Sequence, residues 1–156
     1  LRFMLPHPAR WIALGFGSGL APKAPGTVGT LWAWAMFVAV ERLLGPQPWG
    51  FIVLAGTAVG LWACTRCAQH MGVADPGAIV WDEVIAFWLV LSLAPGGFAT
   101  QAAAFLLFRF FDIVKPPPVR QVDAALKNGI GVMADDLVAA LYAVFVYAVG
   151  YRILVA

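Results

Sequence analysis

Apolar residues in this chain do not alternate with polar ones but run on in long blocks. Five blocks stand out: Thr30–Leu44, Trp49–Cys67, Ile79–Ala94, Phe98–Val114 and Leu137–Val155. Ala, Leu and Val dominate them. The ten-residue alternation of a membrane β-barrel is missing, so the blocks read as helices. Gly45-Pro46, Pro95-Gly96-Gly97 and Pro116-Pro117-Pro118 punctuate them. Several blocks fall short of the ~20 residues that cross a hydrocarbon core comfortably. The shorter ones are expected to be tilted, partly embedded or wedged among other helices. Trp11–Leu20 is a candidate sixth, short helix, weakened by Gly15, Gly17 and Gly19. Gly56-x-x-x-Gly60 is a weak signal for close helix approach.

Composition sharpens this into a membrane protein. Of 156 residues, 62% are hydrophobic and 12% charged. Soluble domains average about 45–50% and about 25%. A soluble chain of this length cannot hide so much apolar surface, whereas lipid solvates it. The length suits one domain, residues 1–156. A net charge of +2 gives no broad basic face for nucleic acid. No cleavable signal peptide is expected, because the first apolar stretch runs directly into a Gly/Pro-rich segment. Cys64 and Cys67 form a C-x-x-C inside an apolar helical run, which favours packing over redox or zinc chemistry.

The charges are asymmetric. With the N-terminus inside the cell, the inner segments hold Arg2, Arg10, Lys23, Arg66, Lys115, Arg120 and Lys127, and the outer ones Arg42 and Arg152. Seven against two is a strong positive-inside bias. Acidic residues, which that rule ignores, follow the same division. Asp75, Asp82, Glu83, Asp112, Asp123, Asp135 and Asp136 fall on the cytoplasmic side or in the first turn of a span from it, and Glu41 is the exception.

Three of these acidic groups sit where ionised residues are costly. Asp82-Glu83 lies just inside the third block, where each charge costs at least ~2.5 kcal/mol on insertion scales. Asp112 closes the fourth, on a face shared with Arg109 and Lys115 at three-residue spacing. Asp135-Asp136 opens the fifth, after Gly129 and Gly131, which would permit a tight turn. Interfacial salt bridges, an i, i+3 ion ladder and helix capping are the structural alternatives for the three. Together they place five carboxylates at one membrane face, and without a cation these would repel one another. Hard oxygen donors suit Mg²⁺, one ion or two about 4 Å apart. The loop Gly17–Thr30 adds free N–H groups, hydroxyls and Lys23 ahead of a helix start, a place that favours phosphate; a simple turn is the alternative. Carboxylates beside Lys23, Arg109, Lys115 and Arg120 at headgroup level point to a phosphorylated lipid, and metal-assisted hydrolysis is a fitting reaction.

Four segments then resemble the phosphatidylglycerophosphatase A family in order, spacing and content: Phe16–Leu31, Ile79–Phe87, Phe108–Asp123 and Asn128–Ala139. The resemblance implies an all-α, membrane-embedded bundle of about five to six helices, one central helix surrounded by the others. It implies Mg²⁺-dependent conversion of phosphatidylglycerophosphate to phosphatidylglycerol and inorganic phosphate, in the bacterial inner membrane with the active site facing the cytoplasm. Asp82, Glu83, Asp112, Asp135 and Asp136 match the family's acidic positions and are the expected metal ligands. Lys115, Pro116, Arg120 and Asp123 match its K-P-x-P-x-R-x-x-D pattern. The expected catalytic set is Asp112, Asp136, Lys115, Arg109 and Arg120. The expected substrate-binding set is Lys23, Gly26, Thr27, Lys115, Arg120 and Asp123. Oligomeric state is not legible.

Cysteine and aspartate phosphatase motifs, Cys-x₅-Arg and D-x-D, are absent, and His7 and His70 are the only histidines. A metal-dependent lipid transferase is a second reading, although its D-G-x₂-A-R pattern is missing. A non-enzymatic ion channel or transporter subunit is a third, with carboxylates lining a pathway.

Overall fold

The computed structural model describes residues 2–45, 48–73, 76–94, 96–125 and 129–155, without the side chains of 122, 123, 125 and 129. Asp75 and Lys127, counted above among the inner charges, lie outside the described residues, as does the side chain of Asp123. The fold is all-helical among the described residues. Its helices are α1 (Pro8–Ala13), α2 (Pro25–Leu44), α3 (Trp49–Met71), α4 (Trp81–Leu93), α5 (Phe98–Val114), α6 (Val119–Ala125) and α7 (Gly129–Val155). A 3₁₀ segment, Gly15–Leu20, follows α1. The stretch expected as a possible sixth helix is therefore two short pieces, broken where Gly15, Phe16 and Gly17 take positive φ.

α2, α3 and residues Ile130–Val155 of α7 are long and apolar enough to cross a membrane. α4, with 13 residues, is about 20 Å long, short of the ~30 Å hydrocarbon core. It is instead the centre of the bundle, packed against α1, α2, α3, α5 and α7. Nine of its residues are buried, on every side of the helix. A helix apolar all round is stable only when neighbours surround it. Trp88 Nε1 donates to the Ala33 carbonyl of α2 at 2.8 Å, and Trp81 Nε1 to the Gly56 carbonyl of α3 at 3.0 Å. Phe87 meets Phe108 of α5 and Trp88 meets Trp49 of α3, with ring centroids 5.7 and 5.6 Å apart.

The glycine pair of α3 serves this packing. Gly56 faces Ile85 and Gly60 faces Trp81, so both open α3 toward α4. A Cβ at Gly60 would lie 2.7 Å from the Trp81 ring and 3.1 Å from Met133. Trp81 cannot retreat without losing its bond to Gly56. Gly60→Val is therefore expected to destabilise the fold by about 1–3 kcal/mol, the usual range for overpacking, measurable by thermal unfolding in detergent.

Two helix starts differ from the sequence reading. α2 begins at Pro25, five residues before Thr30, because proline suits the first helical position. α7 begins at Gly129, so Asp135 and Asp136 do not open the helix and do not cap it. They sit more than a turn inside. Gly129 and Gly131 form no tight turn but lie within the helix, and α7 packs against α6.

Candidate functional site

The site forms where α4 starts, at the level of the α2 start and the α5 end. The chain doubles back after α3, and the Val80 amide donates to the Ala13 carbonyl at 2.9 Å. This pins the α4 start under α1. Asp82 and Glu83 occupy the first turn, where negative charge meets the positive end of the helix dipole. α5 runs antiparallel to α4 and delivers Arg109 and Asp112 to the same level. α7 runs parallel to α4 and delivers Asp135 and Asp136.

One ligand oxygen each from Glu83, Asp112 and Asp136 lies within 4.8 Å of the others. Asp112 and Asp136 are buried, with relative exposures of 8% and 3%. Asp82 is equally buried, at 8%, and within electrostatic reach of Glu83, Asp135 and Asp112. Asp82 Oδ1, Glu83 Oε2 and Asp136 Oδ2 are buried and accept no hydrogen bond. Buried carboxylate oxygens without partners are costly. Two of these, from Glu83 and Asp136, belong to residues that converge with Asp112, and a carboxylate trio of this kind suits a hard divalent cation. The residues present therefore fit Mg²⁺.

Two cations hold the arrangement in place. Arg109 bonds Glu83 at 3.1 Å and also pairs with Asp112, one turn along α5. Lys115, at the end of α5 with positive φ, bonds Asp135 Oδ2 at 2.8 Å and so ties α5 to α7. The expected three-residue ladder thus splits: Arg109 and Asp112 pair, while Lys115 turns away to α7. Asp135 and Asp136 also part, because neighbouring helical residues point about 100° apart. Asp136 joins the carboxylate cluster and Asp135 takes the lysine.

Gly26 lies directly against the Glu83 carboxylate, where a Cβ would collide with both oxygens. Its role here is close approach of α2 to α4, a reason for glycine that the loop reading did not contain. Thr27 is half-buried beside it, and the Thr30 hydroxyl donates to the Gly26 carbonyl at 2.8 Å. Lys23 and Arg120 are exposed and make no contact with the carboxylates among the described residues. Sequence reasoning did not single out Cys64 at this site. It is fully buried and within electrostatic reach of Asp82. Both cysteines are free and buried.

Comparison with known proteins points in one direction. The family model described as Phosphatidylglycerophosphatase A matches residues 11–151. A protein of Haemophilus influenzae named Phosphatidylglycerophosphatase A is 42% identical over 155 residues, 98% of this chain and 95% of its own. One of the same name from Escherichia coli is 38% identical over 153 residues, covering 97% and 88%. A Bacteroides thetaiotaomicron protein, provisionally named a phosphatidylinositol-3-phosphatase, is 39% identical over 145 residues, covering 88% and 90%. No solved structure matches.

Proposed function

Because the chain belongs to the phosphatidylglycerophosphatase A family, we propose that it hydrolyses phosphatidylglycerophosphate to phosphatidylglycerol and inorganic phosphate. The observation that carries this beyond the family is the convergence of Glu83, Asp112 and Asp136 from three helices, with a buried oxygen of Glu83 and one of Asp136 that lack partners. Glu83, Asp112 and Asp136 would hold Mg²⁺, with Asp82 and Asp135 bordering them. When bound, the ion supplies positive charge for the phosphoryl oxygens and lowers the pKa of water.

The chain's own residues divide the remaining work. A carboxylate of the cluster takes the proton of the attacking water as its oxygen bonds to phosphorus. The bond from phosphorus to the glycerol oxygen breaks, and that oxygen leaves with the proton that the carboxylate took up. Arg109 keeps Glu83 and Asp112 in register, and Lys115 fixes α7 through Asp135. Arg120, Lys23 and the Gly26–Thr27 start of α2 would border the approach of the headgroup, while the expected role of Asp123 falls on a side chain outside the described residues. The acyl chains remain in the bilayer. The basic residues at this end favour the cytoplasmic face of the bacterial inner membrane. No observation favours a transferase or a channel subunit.

The test is phosphate release by the purified protein from a panel of lipid phosphates that includes phosphatidylglycerophosphate, phosphatidic acid and phosphatidylinositol 3-phosphate. Turnover of the first with Mg²⁺, falling to background with chelator and returning on re-addition, is the expected result. Release that ignores the chelator would remove the metal from the account. Release only from phosphatidylinositol 3-phosphate would change the substrate.

A further inference from the structure

α2 and α5 both pack on α4, but their backbones stand apart. The cleft between them has a volume of about 510 Å³ and is walled by Leu31, Ala35, Val38 and Ala39 on one side and by Phe98 and Gln101 on the other. Trp34 spans its base. Trp34 Nε1 donates to Gln101 Oε1 at 2.7 Å, and its ring stacks on Phe98 and Phe105 with centroids 5.4 and 5.8 Å away. That bond pairs the indole N–H with the amide oxygen, and the remaining lining is apolar apart from the Gln101 amide group and Arg42 at the far end.

Both walls lead back to the carboxylates. On α2, Thr27, Leu31, Trp34, Val38 and Arg42 follow helical spacing of four, three, four and four, so they share one face. On α5, Asp112, Arg109, Phe105, Gln101 and Phe98 do the same. Each stripe starts at the site and ends in the trough. From Leu31 to Arg42 is about 16 Å, close to the ~15 Å of one leaflet's hydrocarbon.

Two other apolar hollows among the described residues lack this continuity. The one on α7, at Val138, Leu141, Tyr142 and Phe145, lies on the opposite helix face from Asp136. The one at Leu93 and Tyr147 lies at the far end of α4 from Glu83.

We propose that the α2–α5 cleft holds one acyl chain of the lipid substrate while its phosphate lies at the carboxylates. This rests on the hydrolase reading and adds a tail subsite to it. Ala35 and Ala39 set the width of the trough, since both are small and exposed there. A larger residue at either would displace the chain without entering the core.

The test compares phosphate release from dioleoyl and dihexanoyl phosphatidylglycerophosphate by the full-length protein and by Ala39→Trp, with Leu141→Trp as the control on α7. Only the longer tail reaches deep into the trough. Ala39→Trp is expected to lower the dioleoyl-to-dihexanoyl rate ratio about tenfold, the loss of roughly two buried methylenes. Leu141→Trp should leave the ratio unchanged. A dioleoyl analogue with a tail diazirine should label α2 and α5. An unchanged ratio in Ala39→Trp, or labelling confined to α7, overturns the proposal. Labelling needs no turnover, so it still decides the subsite if the wild type releases no phosphate, the outcome that would sink the hydrolase reading itself.

Discussion

Asp136→Asn is expected to abolish phosphate release, by about 10³-fold or more if the group serves as ligand or base, and to leave the protein as stable as the wild type or more so. The reasoning starts from burial. Asp136 is 3% exposed, and its Oδ2 accepts no hydrogen bond. Its surroundings include Asp82, Asp112, Glu83 and Asp135. A neutral amide of the same shape removes one charge from that crowd. The folded state therefore loses repulsion while the site loses a donor oxygen. Residues kept for chemistry at a cost to stability behave in this way. Asp112→Asn should lose activity to the same degree but also stability, because Arg109 then loses one of its two partners. Unfolding in detergent and phosphate release, measured on the same preparations, separate the two. A destabilised Asp136→Asn or an active one contradicts the assignment.

Arg109→Met is expected to be the most damaging single change to the fold at this face. Among the described residues, Arg109 is the one side chain bonded to both Glu83 and Asp112. Removing one member of a buried ion pair costs about 3–5 kcal/mol, because the remaining charge stays buried without its partner. Arg109→Lys should recover only part of this, since one ammonium cannot reproduce the guanidinium fork. Added Mg²⁺ should restore stability to Arg109→Met more than to the wild type, as a ligand of the folded state does by mass action. The melting temperature of each variant across a Mg²⁺ titration checks both statements. A variant that melts like the wild type in chelator would show that Arg109 does not hold the carboxylates.

The legible and illegible parts of this molecule divide along physical lines. α5 was bounded correctly at Phe98 and Val114, because Gly97 precedes it and Pro116 follows. The starts of α2 and α7 were missed, because Pro25-Gly26 and Gly129-Ile130-Gly131 look like breakers in sequence. Gly26 is inside a helix because α2 must touch the Glu83 carboxylate, a tertiary reason that periodicity does not carry. The family resemblance implies one central helix without saying which, and packing on every side identifies it as α4. Carboxylates in apolar surroundings marked Asp82, Glu83, Asp112, Asp135 and Asp136 without any structure. Which of the adjacent pair at 135 and 136 meets Lys115 and which joins the cluster depends on the rotation of α7 against α5, and only the packed bundle sets that. The trough between α2 and α5 was equally hidden, since it exists only where two helices fail to touch.

The central claim is that three helices assemble one divalent-cation site from Glu83, Asp112 and Asp136. Manganese binding, followed by electron paramagnetic resonance on the purified wild type and on the Asp112→Asn, Asp136→Asn double variant, tests it most directly. The account predicts a bound-ion signal in the wild type that Mg²⁺ displaces and the double variant lacks. Equal binding by both proteins would contradict it.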